Sequence, residues 1–426
     1  MNIRIMHPAD QICMVMKRIY DRNLTTLTGG NISVMDSKGV MWITPASIDK
    51  GSLQAGDIVR VFRDGKTEGK YRPSSEYRIH HRILLERPDI KAVIHAHSPE
   101  QVTMSILHKI PENRLYPAVY EAVPKIELAE YAMPGTTGLV DCVGNVFAKG
   151  YNAAILKNHA AFLGSTAGIF DAINRFEELD FAERLFVYAH TLGVPEPATE
   201  KQLIDYQRKV SVDLPQFIPH CISPEEYLLR DELAVLSRRA YQRSLFTGFN
   251  GVISARVDDD SFIIARAGCD NAYITADDFV RIEKGKCEAG IRPADSVELH
   301  FQIYHKHPDI NSIIIAAPAY SMSFAVTGQE YPVHMMPESY GVLKKCIQFP
   351  FDALFEPEQI TDDLSLKTPF ALVKNYGLIL AGPNPILAFD KLEVCEFTAQ
   401  SIHQTRIMGG QIHYLTQEMI EELDSQ

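Results

Sequence analysis

Two histidines, His95 and His97, stand at the end of an apolar run, Ala92-Val93-Ile94-His95-Ala96-His97-Ser98. On a strand, side chains two apart leave the same face, so both imidazoles converge. A converging imidazole pair is a bidentate platform for a divalent metal. Taken alone, such a pair also describes surface or satisfied core histidines. A second apolar run, Ala153 to Leu156, leads into Lys157-Asn158-His159 and offers a third imidazole. Three histidines with an open position describe a catalytic zinc site rather than a structural one. Pro73-Ser74-Ser75-Glu76 opens a helix, where free N–H groups can bind an anion. The plain alternative is a helix cap with Glu76 facing the dipole. In Thr28-Gly29-Gly30-Asn31-Ile32-Ser33, the glycines allow close backbone approach to a ligand and Asn31 offers an amide donor. By itself that segment is a turn before a strand.

These residues need a scaffold, and the pattern supplies one of α/β or α+β type. Ile12, Val15, Met16 and Ile19 fall at helical spacing. Short strands are predicted at 31–35, 39–43 and 57–62. A helix is predicted from Glu76 to Arg87, ended by Pro88, then strands at 91–97 and 153–157, and a long closing helix from Gly168 to Leu192. The pattern then repeats. Pro88-Asp89-Ile90 recurs as Pro308-Asp309-Ile310, and Pro73 and His80 recur at the same separation as Pro293 and His300. Arg18, Tyr20 and Arg22 match Arg239, Tyr241 and Arg243, and Lys157-Asn158 matches Lys374-Asn375. The matches keep their order, so two copies of one domain are expected: residues 1–200, a linker over 201–222, and residues 223–426. The join carries Pro195, Pro197, Pro215, Pro219 and Pro224, which predicts an extended segment.

The copies differ where chemistry is expected. Opposite His95 and His97 stand Ile315 and Ala317, and opposite His159 stands Tyr376. Opposite Ser74, Ser75 and Glu76 stand Ala294, Asp295 and Ser296. A scaffold role would persist in both copies; joint loss points to one shared function held by the first. Composition agrees with a small-molecule enzyme. The 426 residues exceed one ordinary core, and 46% hydrophobic content is enough for folded domains. A net charge of −12 with no basic run argues against a nucleic-acid footprint. No stretch suits a signal peptide or a membrane span. Seven scattered cysteines without a C-x-x-C pair suggest a reduced, cytoplasmic setting.

With these motifs in order, the sequence resembles the class II aldolase/adducin family. The carriers are Thr28 to Ser33 (T-x-G-N-x-S), Thr44-Pro45-Ala46-Ser47 (T-P-x-x), Pro73 to Glu76, His95-x-His97 and Asn158-His159. The resemblance covers residues 10–192 in full and 227–408 in scaffold only. It implies tandem α/β/α domains around a mainly antiparallel sheet, the second degenerate and non-catalytic. It makes His95, His97 and His159 ligands of Zn²⁺ or another divalent metal, and Glu76 the acid/base. Thr28, Gly30, Asn31, Thr44, Ser47, Ser74 and Ser75 become the substrate and phosphate site. It also implies aldol cleavage of a small sugar phosphate through a metal-stabilised enediolate. Decarboxylation or dehydration of a related sugar, and a non-catalytic adducin-like scaffold, are the alternatives. Epimerases of the family usually carry Asp at the Glu76 position, which leans against epimerisation. Family active sites lie between neighbouring subunits of a ring, so Tyr120 or Glu121 is a candidate proton donor to a neighbour. A homodimer forming a four-domain ring is expected, with Tyr331 and Tyr340 of the second copy facing a neighbour's site. Ser47 and Ala160 depart from the family's usual glycines.

Overall fold

The computed structural model describes residues 6–210, 213–218 and 221–425. The chain divides into two compact units. One runs to Asn113 and resumes from Val119 to Glu183; the other takes Arg114–Ala118 and the chain from Arg184 onward.

The first unit opens with α1 (Pro8–Asp21), followed by β1 (Asn31–Met35), β2 (Met41–Ile43), β3 (Val59–Val61) and β4 (Thr67–Glu68). Next come α2 (Tyr77–Glu86), β5 (Ala92–Ala96), α3 (Pro99–Leu107), α4 (Pro117–Ala122) and β6 (Ile126–Ala129). The unit finishes with α5 (Thr137–Ala148), β7 (Ala153–Leu156), β8 (Ala161–Ser165) and α6 (Ile169–Leu192), inside which the boundary to the second unit falls. The strands form one sheet in the order β4-β3-β2-β1-β5-β8-β7-β6. The sheet is mixed: β6 and β7 run parallel, and the other pairings are antiparallel.

Strand alternation sorts the core into two layers. Ile32, Val34, Ala92, Ile94 and Ala96 pack with Ile12, Val15, Met16 and Ile19 of α1 and with Ile173 and Phe176 of α6. Met41, Ile43, Val93, Ala154 and Phe162 pack on the other side with Ile79 and Ile83 of α2 and with Val143 and Phe147 of α5. Helices therefore cover both faces, which is why β5 is buried along its whole length. Asn31, Ser33, Val93 and His95 alternate with the first layer and share the second. The sheet thus aims the polar residues at the side where α2 begins.

The second unit contains α7 (Glu200–Val210), β9 (Gln216–Phe217), α8 (Pro224–Gln242), β10 (Val252–Asp258), β11 (Ser261–Ala265), β12 (Phe279–Glu283) and β13 (Lys286–Glu288). It continues with α9 (Val297–Lys306), β14 (Ser312–Ala316), α10 (Ala319–Thr327), α11 (Pro337–Leu343), β15 (Cys346–Phe349) and α12 (Glu358–Asp363). β16 (Phe370–Val373), β17 (Gly377–Gly382), α13 (Pro385–Met408) and α14 (Gln417–Asp424) complete it. Its sheet order is β15-β16-β17-β14-β10-β11-β12-β13-β9. Position for position this is the first sheet again, with β9 added in parallel at one edge.

Two expectations are corrected. The join is not an extended linker throughout, because α7 occupies Glu200–Val210. No proline falls between Pro197 and Pro215, and Leu203, Tyr206 and Val210 recur at helical spacing, so a buried face is available. Residues 211, 212, 219 and 220 of that join lie outside the described residues. Tyr331 and Tyr340 are not surface residues waiting for a neighbour. Tyr331 is 2% exposed and its hydroxyl donates to the Cys395 carbonyl, while the Tyr340 hydroxyl donates to Asp424 Oδ2 at 2.7 Å. Aromatic bodies with one polar tip are readily taken into a core when that tip finds an acceptor. No helix among the described residues is long and apolar enough to cross a membrane.

Candidate metal centre

β1 and β5 pair so that Asn31 lies opposite His95, and β8 places Phe162 on the other side of His95. The Phe162 ring stacks on the His95 imidazole, with centroids 4.0 Å apart and planes 9° from parallel. His97 lies one residue past the end of β5, where its backbone N–H donates to the Leu24 carbonyl at 3.1 Å. His159 sits in the turn joining β7 to β8. Asn158 takes the left-handed conformation there (φ 55°), which asparagine tolerates better than most residues. The three imidazoles converge, and one ring nitrogen from each lies within 4.8 Å of the others.

Glycine is required on the approach to this cluster. Gly30 has φ +70°, and a Cβ there would lie 3.0 Å from the His95 carbonyl oxygen. A Cβ on Gly29 would meet Thr26 Oγ1 at 2.7 Å.

Glu76 caps α2 and points at the histidines rather than at the helix N-terminus, making no side-chain cap bond. Its Oε2 lies 3.3 Å from His95 Nε2 and its Oε1 lies 3.4 Å from His159 Nε2. Asn31 Nδ2 donates to Glu76 Oε2 at 2.8 Å. Behind Asn31 stands His80, a residue the sequence reading used only to align the repeats. Asn31 Oδ1 can only accept, so His80 Nε2 carries the proton donated to it. His80 Nδ1 must then accept from the Ser33 hydroxyl at 2.7 Å. Burial, reinforced by neighbouring His95, pushes His80 down to about 3, so it stays neutral and the relay from Ser33 to Glu76 keeps one direction at ordinary pH. The sequence signal for His80 was its recurrence as His300, which also meets a serine, Ser254, at 2.7 Å.

The donor set fits a cation. His95 Nδ1 faces the Ala161 carbonyl at 2.8 Å, which can only accept, so the proton sits on Nδ1 and Nε2 keeps a lone pair. That lone pair and a carboxylate oxygen then face each other at 3.3 Å as two acceptors. The Nε2 atoms of His95 and His97 are buried without a hydrogen-bond partner. Burial, then the neighbouring imidazoles, pushes both rings to about 3, so protonation does not relieve the clash near neutral pH. A divalent ion held by the imidazole nitrogens, with the carboxylate facing its positive charge, would relieve it.

Most of the other residues expected at the site lie in three segments whose backbones are tied to one another. Ser74 N donates to the Thr44 carbonyl at 3.1 Å, and Ala46 N donates to Arg72 O at 3.0 Å. Thr44 and Ser74 are buried and engaged: Thr44 Oγ1 accepts from Ile32 N at 3.2 Å, and Ser74 Oγ accepts from Glu76 N at 3.4 Å. Thr28, Ser47 and Ser75 are exposed. Tyr120 is half-buried and Glu121 exposed on α4.

The second unit keeps the frame without the three histidines. Val252 lies opposite Ile315 just as Asn31 lies opposite His95. Tyr376 stands in the place of His159, with Tyr206 of α7 5.7 Å away ring to ring. A cavity of about 250 Å³ beside them is lined by Asp295, Ser296 and Leu299.

The chain matches the class II aldolase and adducin N-terminal domain twice, over residues 10–187 and 231–403. It is 37% identical over 123 residues to a 5-methylthioribulose-1-phosphate/5-deoxyribulose-1-phosphate aldolase of Rhodospirillum rubrum, covering 28% of this chain and 55% of that relative. It is 29% identical over 205 residues to a 5-deoxy-D-ribulose 1-phosphate aldolase of Bacillus thuringiensis serovar kurstaki, covering 47% and 93%. An L-fuculose phosphate aldolase of Escherichia coli O6:H1 is 32% identical over 190 residues, covering 43% and 82%. Among solved structures, an L-fuculose 1-phosphate aldolase aligns with TM-score 0.44 at 28% identity, covering 48% of this chain and 96% of its own. With its domain matched in both halves, the chain belongs to the class II aldolase and adducin family.

Proposed function

We propose that the first domain is a divalent-metal-dependent aldolase acting on a small ketose phosphate, and that the second domain is non-catalytic. The observation that carries this reading is the pair of acceptors, His95 Nε2 and Glu76 Oε2, held face to face at 3.3 Å inside a three-histidine cluster. His95, His97 and His159 would hold the ion, most simply Zn²⁺. When bound, it supplies Lewis-acid charge for the oxyanion that develops on cleavage beside a carbonyl. Glu76 moves the proton between carbon and solvent, its carboxylate aimed by Asn31. The loops carrying Thr28, Gly30, Thr44, Ser47, Ser74 and Ser75 take the phosphoryl group. Two of the relatives are named as aldolases of ketose 1-phosphates, which supports the substrate class. Tyr120 or Glu121 as a donor to a neighbour, and a homodimer of 47.9 kDa chains, extend the proposal to the assembly.

The test is turnover of a panel of ketose 1-phosphates by the metal-loaded chain, with products identified. Aldehyde together with dihydroxyacetone phosphate is expected. Glu76→Gln should lower kcat by about 10²–10⁴-fold while retaining metal. Release of CO₂ or of water in place of aldehyde would move the assignment to decarboxylation or dehydration. A fully metallated chain with no turnover of any substrate would leave the scaffold reading.

A further inference from the structure

Lys50 is one of the largest fully buried side chains in the protein, at 1% exposure. Its backbone N–H donates to the Leu27 carbonyl at 2.8 Å, directly before Thr28. Its ammonium donates to the Pro45 carbonyl, between Thr44 and Ser47. Pro45 is bridged in turn to Pro73, directly before Ser74. Lys50 therefore ties the Thr28 segment through its backbone, and its positive charge sits at the Pro45 carbonyl, in the loop that is bridged to the Ser74 segment. The neighbouring acid is spent elsewhere: Asp49 accepts from Gly51 N at 2.9 Å and from Ser52 Oγ at 2.8 Å. Among the described residues no carboxylate pairs with Lys50. Burying an ammonium without an anion is costly, and proteins seldom keep such a charge unless something compensates it.

We propose that Lys50 is the charge-bearing member of the phosphoryl site, neutralising from behind the Thr44–Ser47 loop a phosphomonoester dianion bound by the three loops. This rests on the reading of those loops given above. Burial alone lowers its ammonium to about 8, so the charge is still largely present at neutral pH.

The second domain supplies an independent comparison. There the same backbone bond is made by Asn271, whose N–H donates to the Gly248 carbonyl at 2.8 Å. The same bridge joins Arg266 to Pro293. At the Lys50 position the residue is now a neutral amide, and its Nδ2 closes on the carbonyls of Thr247, Asn250 and Gly251 at 3.1, 3.2 and 3.3 Å. The fold thus has no structural need for a cation at this position. The domain that lost the three histidines, Ser74, Ser75 and Glu76 lost the ammonium with them, and used the replacement to tie up the loop. A charge kept only to hold the loops together would have no reason to disappear with the chemistry.

The test uses the full-length, metal-loaded chain and inorganic phosphate as probe in calorimetry. Lys50→Met keeps the length and apolar stem; Lys50→Asn copies the residue the second domain tolerates. Each should weaken phosphate binding by tenfold or more and raise KM for a ketose phosphate far more than it lowers kcat. Exposed Lys17→Met, which removes a charge paired with Asp21 on α1, should leave phosphate affinity unchanged. Phosphate affinity within twofold of the unmodified chain in either folded Lys50 variant would overturn the assignment. An unmodified chain that binds no phosphate would overturn both the assignment and the phosphoryl reading of the loops. Lys50-dependent phosphate binding without aldolase turnover would sustain the anion site and sink the aldolase reading alone.

Discussion

Replacing Asn31 by valine removes the amide that joins His80 to Glu76, and kcat at saturating substrate reads that loss apart from any part Asn31 plays in binding the substrate. The second domain shows that the fold accepts this change: Val252 holds the matching position in β10, and His300 Nε2 beside it has no partner. Valine also suits a central strand. The substitution removes the 2.8 Å bond from Asn31 Nδ2 to Glu76 Oε2 and leaves the His80 Nε2 proton without an acceptor. A hydrogen bond to an ionised group contributes about 1.5–3 kcal/mol. If that energy holds the carboxylate in its productive position, its loss lowers kcat roughly 10- to 150-fold, since about 1.4 kcal/mol is a decade in rate. The orphaned His80 donor costs about 1–3 kcal/mol of stability by the same bookkeeping. The assay is steady-state turnover at saturating ketose phosphate, with metal content measured on the same samples and excess metal added. A fully metallated variant with kcat within threefold of the parent would refute the claim that the relay through His80 and Asn31 sets the position of Glu76.

Further outcomes follow from the same geometry. One divalent ion per chain is expected by elemental analysis, and His97→Ala should lose it; a parent chain with two ions, or a variant that keeps its ion, would count against the three-histidine centre. His300 is fully buried, and burial pushes it from 6.5 to about 3. The unfolded chain therefore binds a proton that the folded domain refuses below pH 6.5, so stability falls as pH drops from there toward 3. The slope is about 1.4 kcal/mol per unit. Between pH 7 and 5, His300→Leu should lose about 2 kcal/mol less stability in denaturant titrations than the parent, and equal pH dependence would exclude this origin. Ser47 holds φ 54° where the second domain has Gly268 at φ 65°. Ser47→Gly should gain about 1 kcal/mol by removing left-handed strain, seen as a higher unfolding midpoint; a lower midpoint would show that the serine side chain is held by the fold.

The amino-acid sequence by itself determined the repeat and the family. It also singled out the histidines the structure brings together, and the reason is local. His95 and His97 share a strand face because strand side chains alternate, and His159 follows a strand whose apolar run is visible. Comparison of the two copies then separated the positions kept in both from those changed in one, without any third dimension. What only the tertiary structure decided depends on residues far apart in the chain. Asn31 reaches Glu76 across 45 positions and His80 across 49, and nothing in the local pattern of β1 or α2 says which polar groups will meet. Nothing in the sequence around Lys50, between Asp49 and Gly51, marks it for burial; its 1% exposure is a result of the fold alone. Tyr331 illustrates the converse, since the family resemblance put it in the region facing a neighbour's site while packing around α13 took its side chain inside. Helix α7 arose in a proline-flanked join because its buried side meets Tyr376 through Tyr206, and that partner stands far along the chain. Local periodicity sets which face a side chain leaves from, whereas burial, proton direction and charge compensation are properties of the groups that face it, and only the folded chain chooses those.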